Sequence, residues 1–227
     1  MRTLSIMGYA LAPDVHACVA DDRVYFLDAG RDRYCKAGPS ASQALIARNK
    51  AASTPDNASL TPLVEAGLLT FSDDRRARLR LCTHPSPSDD LHGVRDRRAS
   101  PRLTDIVDIA WLALLASRRL RRHGFADALR WAGVEAPVTG LRKSAIDELA
   151  RCVACFEGAR TLLPTSPRCL LDSLILRRWC SARGIATAMV IGIRPLPFAA
   201  HCWVEHEGVV LNGSKDSVAN FKPICVA

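Results

Sequence analysis

Short runs of apolar residues separated by turn signals characterise the first seventy residues. These runs predict three strands and two helices, at Val15–Val19, at Arg23–Asp28, from Arg33, over about residues 40–50 and over Leu60–Leu69. Asp21-Asp22 marks the first turn, and Ser40 or Ser42 can serve as the N-cap of the first helix. Strands followed by helices in this order favour a small winged-helix-like module.

The apolar spacing becomes helical after the first hundred residues and changes to strands near the end. The pattern predicts helices over 104–122, 125–133, 142–161 and 168–182. Thr187–Ile193 then predicts a buried strand. Ala200–His206 and Val209–Asn212 predict a hairpin, with Glu207-Gly208 as its turn.

These patterns indicate an α+β fold in two parts. The winged-helix-like module covers residues 1–72, and a mixed helical and β domain covers residues 104–227. Residues 73–103 between them are rich in Pro, Arg and Asp, and such a stretch buries little apolar area. We therefore expect an exposed linker at 73–103.

Composition limits the classes of function without choosing among them. The 227 residues are 48% hydrophobic, which suits a packed core rather than a disordered chain. The net charge of +8 reflects an Arg-rich composition, and we expect no nucleic-acid partner. Nine cysteines in irregular spacing do not form a disulfide framework, and the first residues do not resemble a secretory signal. We therefore expect reduced thiols, a cytoplasmic location and no membrane span.

Cys169 is a candidate nucleophile because of its place in a predicted helix. Ser166 can be the N-cap and Pro167 the first helical residue, which puts Cys169 in the first turn. The unpaired N–H groups and positive dipole end of a helix stabilise a thiolate and can hold an oxyanion. The alternative is a buried structural cysteine.

His201 is the candidate general base, at the start of a predicted strand. Alternation places it on one face with Trp203 and Glu205, while Cys202 and His206 lie on the opposite face. A thiol on a helix and an imidazole on a nearby strand form a thiolate–imidazolium pair. No metal site is predicted on the strand face that carries Cys202 and His206. None is predicted either at the two cysteines one helical turn apart, Cys152 and Cys155, because they lack a second pair of ligands.

The C-terminal motifs resemble a known family. The matching segments are Pro167-Arg-Cys169-Leu-Leu-Asp-Ser173, Arg183-Gly184, Ile191-Gly192, Ala200-His-Cys-Trp-Val-Glu205, Gly208 and Asn212. Residues 160–227 resemble the transglutaminase-like peptidase domain of lasso-peptide biosynthesis B proteins. The resemblance implies a papain-like core and a cysteine peptidase that removes the leader of a ribosomally made precursor. It places Cys169 as nucleophile and His201 as general base.

The N-terminal strands are similar to the leader-recognition domain fused to some of these peptidases. The segments that carry this similarity are Asp14-Val-His16, Val24-Tyr-Phe-Leu-Asp28 and Asp32-Arg-Tyr34. Such a domain takes the leader as an added strand on its sheet edge, and the resemblance implies Val24, Phe26 and Tyr34 as leader-binding residues. It also implies the precursor peptide and a ring-closing, asparagine-synthetase-like cyclase as partners. A dependence on ATP is a further implication, although the sequence shows no phosphate loop and no other cofactor is evident.

The chain departs from the family at the third catalytic position. Gly213 stands where the family has Asp, directly after the hairpin asparagine. If the hairpin turns at residues 207–208, Asn212 lies on the face of His201 and can orient its imidazole. Asp216 is the other candidate. Two functions besides leader hydrolysis stay open: acyl transfer to an amine by the same residues, and non-catalytic binding of the precursor.

Overall fold

A computed structural model describes residues 8–51, 57–72, 79–91, 100–133, 145–163 and 168–227. The chain divides into two compact units. The first unit contains the described residues up to Thr83 together with Lys222–Cys225, and the second contains His84–Phe221 with Val226–Ala227. Among the described residues no helix is both long enough and apolar enough to cross a membrane.

The first unit contains the three strands that the sequence predicts. Strands β2 (Val15–Ala20), β3 (Arg23–Asp28) and β4 (Arg33–Lys36) form an antiparallel sheet in that order. Asp21 and Asp22 both have positive φ, which matches the two-residue turn predicted between the first two strands. Strands β1 (Gly8–Leu11) and β5 (Leu69–Ser72) form a separate antiparallel pair.

Two helices complete the first unit, α1 (Pro39–Ala51) and α2 (Asn57–Glu65). Helix α1 packs on β3, and the core of the unit includes Phe26 of β3, Leu45 of α1 and Leu60 of α2, none of which is exposed. Neither Ser40 nor Ser42 is the N-cap of α1, because the helix begins at Pro39, ahead of both. The hydroxyl of Ser42 instead accepts the N–H of Val24 and donates to the carbonyl of Ala37. The winged-helix-like assignment of this unit stays a prediction.

The second unit consists of a helical layer and a sheet. Its long helices are α3 (Leu103–Ala132), α4 (Ala145–Thr161) and α5 (Cys169–Ser181). Helix α3 packs on α4 and α5, and α5 packs on the sheet. Gly124 has a positive φ and interrupts α3, so the first predicted helix ends before this glycine as expected.

The sheet of the second unit presents the predicted histidine strand. Strands β6 (Asp89–Asp90), β7 (Ala188–Arg194), β8 (Ala199–His206) and β9 (Val209–Val210) lie in the order β7-β8-β9-β6. The remaining elements are the short helix α6 (Lys215–Ala219) and strand β10 (Lys222–Val226). The turn of the β8–β9 hairpin is Glu207-Gly208, both at positive φ, as predicted from the sequence.

The expectation of an exposed linker over 73–103 needs correction within its described residues, 79–91 and 100–103. Leu79 and Leu91 are both buried, at 3% and 5% exposure. Asp89–Asp90 pairs with β9 as a parallel strand. Leu79 and Leu91 are therefore enough to hold parts of this charged stretch against the fold, because both side chains are buried.

Candidate active site

Cys169 is the first residue of helix α5. The N-cap is Arg168, in an extended conformation, so the helix begins two residues after Pro167, the predicted first helical residue, and one residue after the start of the predicted range 168–182. The predicted cap, Ser166 with Pro167, lies outside the described residues. The Oδ2 atom of Asp172 accepts the N–H of Arg168 at 3.0 Å and so fixes the start of the helix. Cys169 remains in the first turn, where the backbone N–H groups have no intrahelical acceptor.

The nine cysteines differ sharply in their access to solvent. Cys169 is exposed, whereas three others are intermediate and five are buried. Burial raises the pKa of Cys18 to about 12, so that thiol stays protonated. Exposure and helix position therefore single out Cys169 as the cysteine best placed to react.

His201 lies on β8 between two aromatic rings. Its imidazole stacks on the indole of Trp203 with centroids 6.0 Å apart and an interplanar angle of 19°. The ring of Phe221 lies 5.3 Å from it, tilted by 41°. Burial lowers the pKa of His201 from its ordinary value, because the protonated ring loses hydration. The imidazole is therefore neutral near pH 7 and able to accept a proton.

One cavity of about 500 Å³ brings the candidate residues together. Its walls include Cys169 from α5, His201 from β8 and Asn212 from the end of the hairpin. The other lining residues are Phe156, Glu157, Arg160, Thr161, Asp172 and Cys202. Asp216 is not among them and is exposed on α6. The structure thus places the predicted nucleophile and base on one cavity.

Asn212 lines this cavity, but its amide is engaged away from the imidazole. Its Oδ1 accepts the N–H of Val204 at 2.7 Å, and its Nδ2 donates to the hydroxyl of Ser173 at 2.9 Å. The Ser173 hydroxyl in turn donates to the carbonyl of Cys202 at 3.0 Å. Asn212 therefore connects the His201 strand to the Cys169 helix. Its predicted role as the group that orients His201 stays a prediction.

Position 213 has room for a side chain. A Cβ on Gly213 would lie 3.5 Å from the Ser217 hydroxyl and 3.7 Å from a Val210 methyl, which are ordinary contacts. Its φ lies outside the left-handed region, so nothing in the backbone demands glycine there. The missing carboxylate is a feature of this sequence rather than a requirement of its fold.

An ion pair borders the cavity beside Cys169. Nε of Arg160 lies 2.6 Å from Oδ1 of Asp172, and the two side chains are only 11% and 17% exposed. The sequence pattern does not indicate this pair, because Arg160 and Asp172 belong to two separate predicted helices. Asp172 thus connects α4 to the N-terminus of α5 and so helps to fix the position of Cys169.

The predicted leader-binding residues occupy different environments in the first unit. Val24 and Phe26 on β3 have no exposed surface and belong to the core, so they support the sheet without contacting a peptide. Tyr34 lies on the edge strand β4, opposite Leu27, and is partly exposed. Sequence alternation missed this difference because β3 is the central strand and is buried on both faces.

Cys152 and His206, which the sequence also draws attention to, make contacts within the fold. Cys152 hydrogen-bonds to Cys180 on α5, which lowers the pKa of Cys152, whereas burial raises the pKa of Cys155. The Nδ1 atom of His206 lies 2.6 Å from the carbonyl oxygen of Ala186. Within the described residues, no group of three or more His, Cys, Asp or Glu side chains is arranged to hold a metal ion.

An accessible cysteine at a helix N-terminus that shares a cavity with a histidine on an adjacent strand defines a cysteine-nucleophile site. The model of the transglutaminase-like superfamily matches residues 111–226, just over half of the chain, and includes all the elements of this site. The chain belongs to the transglutaminase-like superfamily, whose members are typically cysteine-based enzymes. No curated protein and no solved structure gives a significant match.

Proposed function

We propose that this protein is a cysteine peptidase that removes the leader from a lasso-peptide precursor. The observation that carries the proposal is the single cavity lined by exposed Cys169 and half-buried His201. Membership of the transglutaminase-like superfamily supports cysteine chemistry. The choice of a lasso precursor rests on the motifs around the two residues, which resemble those of lasso-peptide biosynthesis B proteins.

The geometry supports a two-step hydrolysis. His201 takes the proton of the Cys169 thiol, and the sulfur attacks the scissile carbonyl to give a thioester as the C–N bond breaks. The imidazolium gives its proton to the leaving amine, which is the new α-amine of the core peptide. Water then attacks the thioester and His201 accepts the proton of that water. The C–S bond breaks, the leader leaves with a free carboxyl group, and the imidazolium returns its proton to the Cys169 thiolate. Backbone N–H groups at the start of α5 hold the oxyanion in both steps.

The first unit is proposed to bind the leader on its sheet edge. Strand β2 already contacts another segment, because Ala17 bridges Leu81 and accepts the N–H of Cys82. Within the described residues β4 has no strand beyond it in its sheet. An extended leader that pairs with β4 would meet Tyr34 there. Dependence on ATP and a ring-closing partner enzyme follow from the resemblance alone and stay predictions.

Product mass distinguishes hydrolysis from the alternatives. We expect the protein to convert a synthetic precursor into a leader with a free carboxylate and a core peptide with a free α-amine. The check is mass spectrometry in the presence and absence of a small primary amine. A leader that carries the added amine would establish acyl transfer instead, and an intact precursor under all conditions would leave only binding.

Changing Tyr34 tests leader binding separately from cleavage. In the full chain carrying Cys169→Ala, we expect Tyr34→Ala to weaken the affinity for the leader peptide by roughly tenfold, because an aromatic contact at an interface contributes on the order of 1 kcal/mol or more. Calorimetry with separate leader and core peptides measures it. The matched control is Glu65→Gln, an exposed position of the same unit. Equal affinity of the parent for leader and core would argue against recognition by this unit.

A further inference from the structure

Aromatic packing, rather than a hydrogen bond, orients His201 in this structure. Among the described residues, no side chain forms a hydrogen bond with the imidazole, and the amide of Asn212 is engaged with Val204 and Ser173. The contacts of His201 are instead the near-parallel indole of Trp203 and the tilted ring of Phe221. Whatever fixes these two rings therefore fixes the plane of the imidazole.

The indole of Trp203 is held from two sides. Its Nε1–H donates to Oε1 of Glu205 at 2.5 Å, and the whole residue is inaccessible to solvent. Its six-membered ring lies over Gly192, which pairs with His201 across the two strands. A Cβ on Gly192 would lie 2.8 Å from this ring and 2.9 Å from Cβ of Phe221. The glycine thus provides the space that the indole occupies next to the histidine.

Glu205 is a buried carboxylate with a partner for each oxygen. Its side chain is 3% exposed. Oε2 accepts a hydrogen bond from Nε2 of His84 at 2.8 Å, while Oε1 accepts the indole N–H. Burying a carboxylate costs several kcal/mol unless it is paired and hydrogen-bonded. His84, Glu205, Trp203 and His201 therefore form a continuous series of contacts from a surface loop to the candidate base.

We propose that Glu205 is a positioning residue for His201: it fixes the indole of Trp203, and Trp203 with Phe221 sets the plane of the imidazole. This arrangement fills the role that a carboxylate bonded to the histidine fills in a Ser-His-Asp triad. It explains how the site is organised with glycine at position 213. The proposal rests on the proposed function only in taking His201 as the base.

The proposal predicts where water reaches the imidazole. The indole lies nearly parallel to the imidazole, with centroids 6.0 Å apart, and burial is what lowers the pKa of this histidine. Releasing the indole lets water reach the imidazole, and the pKa of His201 rises toward about 6.5. The other charged and titratable groups that line the cavity are Cys169, Cys202, Glu157, Arg160 and Asp172, and Arg194 lies over the ring of Phe221. All six are kept in every variant of the test.

The test is a nuclear magnetic resonance titration of His201 in the full-length protein with labelled histidine. We expect Glu205→Leu and Trp203→Phe to raise the pKa of His201 toward about 6.5, because both remove the indole–carboxylate hydrogen bond. Glu205→Gln keeps an oxygen that accepts the indole N–H, so its titration stays close to the parent. In the cleavage assay, we expect kcat to fall by roughly tenfold for the first two variants, with little change in KM.

A buried carboxylate elsewhere provides the control for lost stability. Asp28 in the first unit is also buried and is paired with Arg31 and Arg33. Asp28→Leu should lower the melting temperature but leave the titration of His201 where it is in the parent. The proposal is overturned if folded Glu205→Leu or Trp203→Phe retains the parent pKa of His201, or if Glu205→Gln shifts it as far as Glu205→Leu does.

Two features keep the result interpretable. If Glu205→Leu does not fold, Trp203→Phe and Glu205→Gln still decide the question. Trp203→Phe keeps an aromatic ring at position 203, and Glu205→Gln keeps an oxygen at position 205. The titration requires no substrate. Failure to cleave any precursor would therefore refute the proposed function without affecting the outcome for Glu205.

Discussion

Cys169→Ala is expected to reduce precursor cleavage by roughly 10⁴-fold or more, equivalent to about 5.5 kcal/mol of barrier. The loss is this large because the other cysteine of the cavity, Cys202, is buried and cannot replace the missing sulfur. His201→Asn should cause a comparable loss, since the thiol then lacks a proton acceptor. Steady-state cleavage of a synthetic precursor measures both variants.

Controls for this result come from the other thiols. Cys82→Ala, at a partly exposed cysteine of the first unit that lies outside β4, should cleave like the parent. Brief treatment with limiting iodoacetamide should label Cys169 first, and activity should fall in step with that labelling. Cys169→Ala should still bind the leader. Retention of more than a tenth of the parent activity by Cys169→Ala would show that the nucleophile is a different residue.

Asn212→Ala is expected to slow cleavage by roughly 10- to 100-fold, or about 1.4–2.7 kcal/mol of barrier. The side chain joins the N–H of Val204 to the hydroxyl of Ser173, and alanine leaves both without this partner. Leaving a buried donor unsatisfied costs about 1–3 kcal/mol of stability. Because the bridge ties the His201 strand to the Cys169 helix, its loss disturbs the spacing between base and nucleophile.

Ser173, which accepts the hydrogen bond of the Asn212 amide, provides a matched test of this connection between strand and helix. Ser173→Ala should reproduce much of the effect, and the double variant should lose less than the sum of the two single losses. Asp216→Ala should behave like the parent, since Asp216 is exposed and outside the cavity. An inactive Asp216→Ala beside a fully active Asn212→Ala would identify Asp216 as the third catalytic residue. Thermal unfolding of each variant separates stability from rate.

Local patterns in the sequence were enough to predict much of the fold. The β8–β9 hairpin follows from Glu207-Gly208, because two residues at positive φ make the turn that strand twist requires. The shared face of His201, Trp203 and Glu205 follows from strand alternation and is confirmed by the ring stack and the indole hydrogen bond. Such features depend only on neighbouring residues.

Features that depend on distant residues were missed. The contact between His84 and Glu205 spans 121 positions, and nothing near His84 in the sequence indicates it. Extending the hairpin predicts that Asn212 faces His201, but the pairing of β9 ends at Val210 and Oδ1 of Asn212 accepts the N–H of Val204. The sequence predicts too early a start for α5, because the group that fixes this start, Asp172, lies inside the helix rather than before it.

The composition of the first unit has a consequence for the order of folding. Lys222–Cys225, almost the last residues of this chain, group with the unit that begins it. During synthesis these four residues therefore emerge only after His84–Phe221 of the second unit has been made. Their contacts with the rest of the first unit close a loop of well over a hundred residues, a step that opposes folding entropically. Cutting the gene after residue 83 would yield a fragment of the first unit that lacks these four residues and the contacts they make in it.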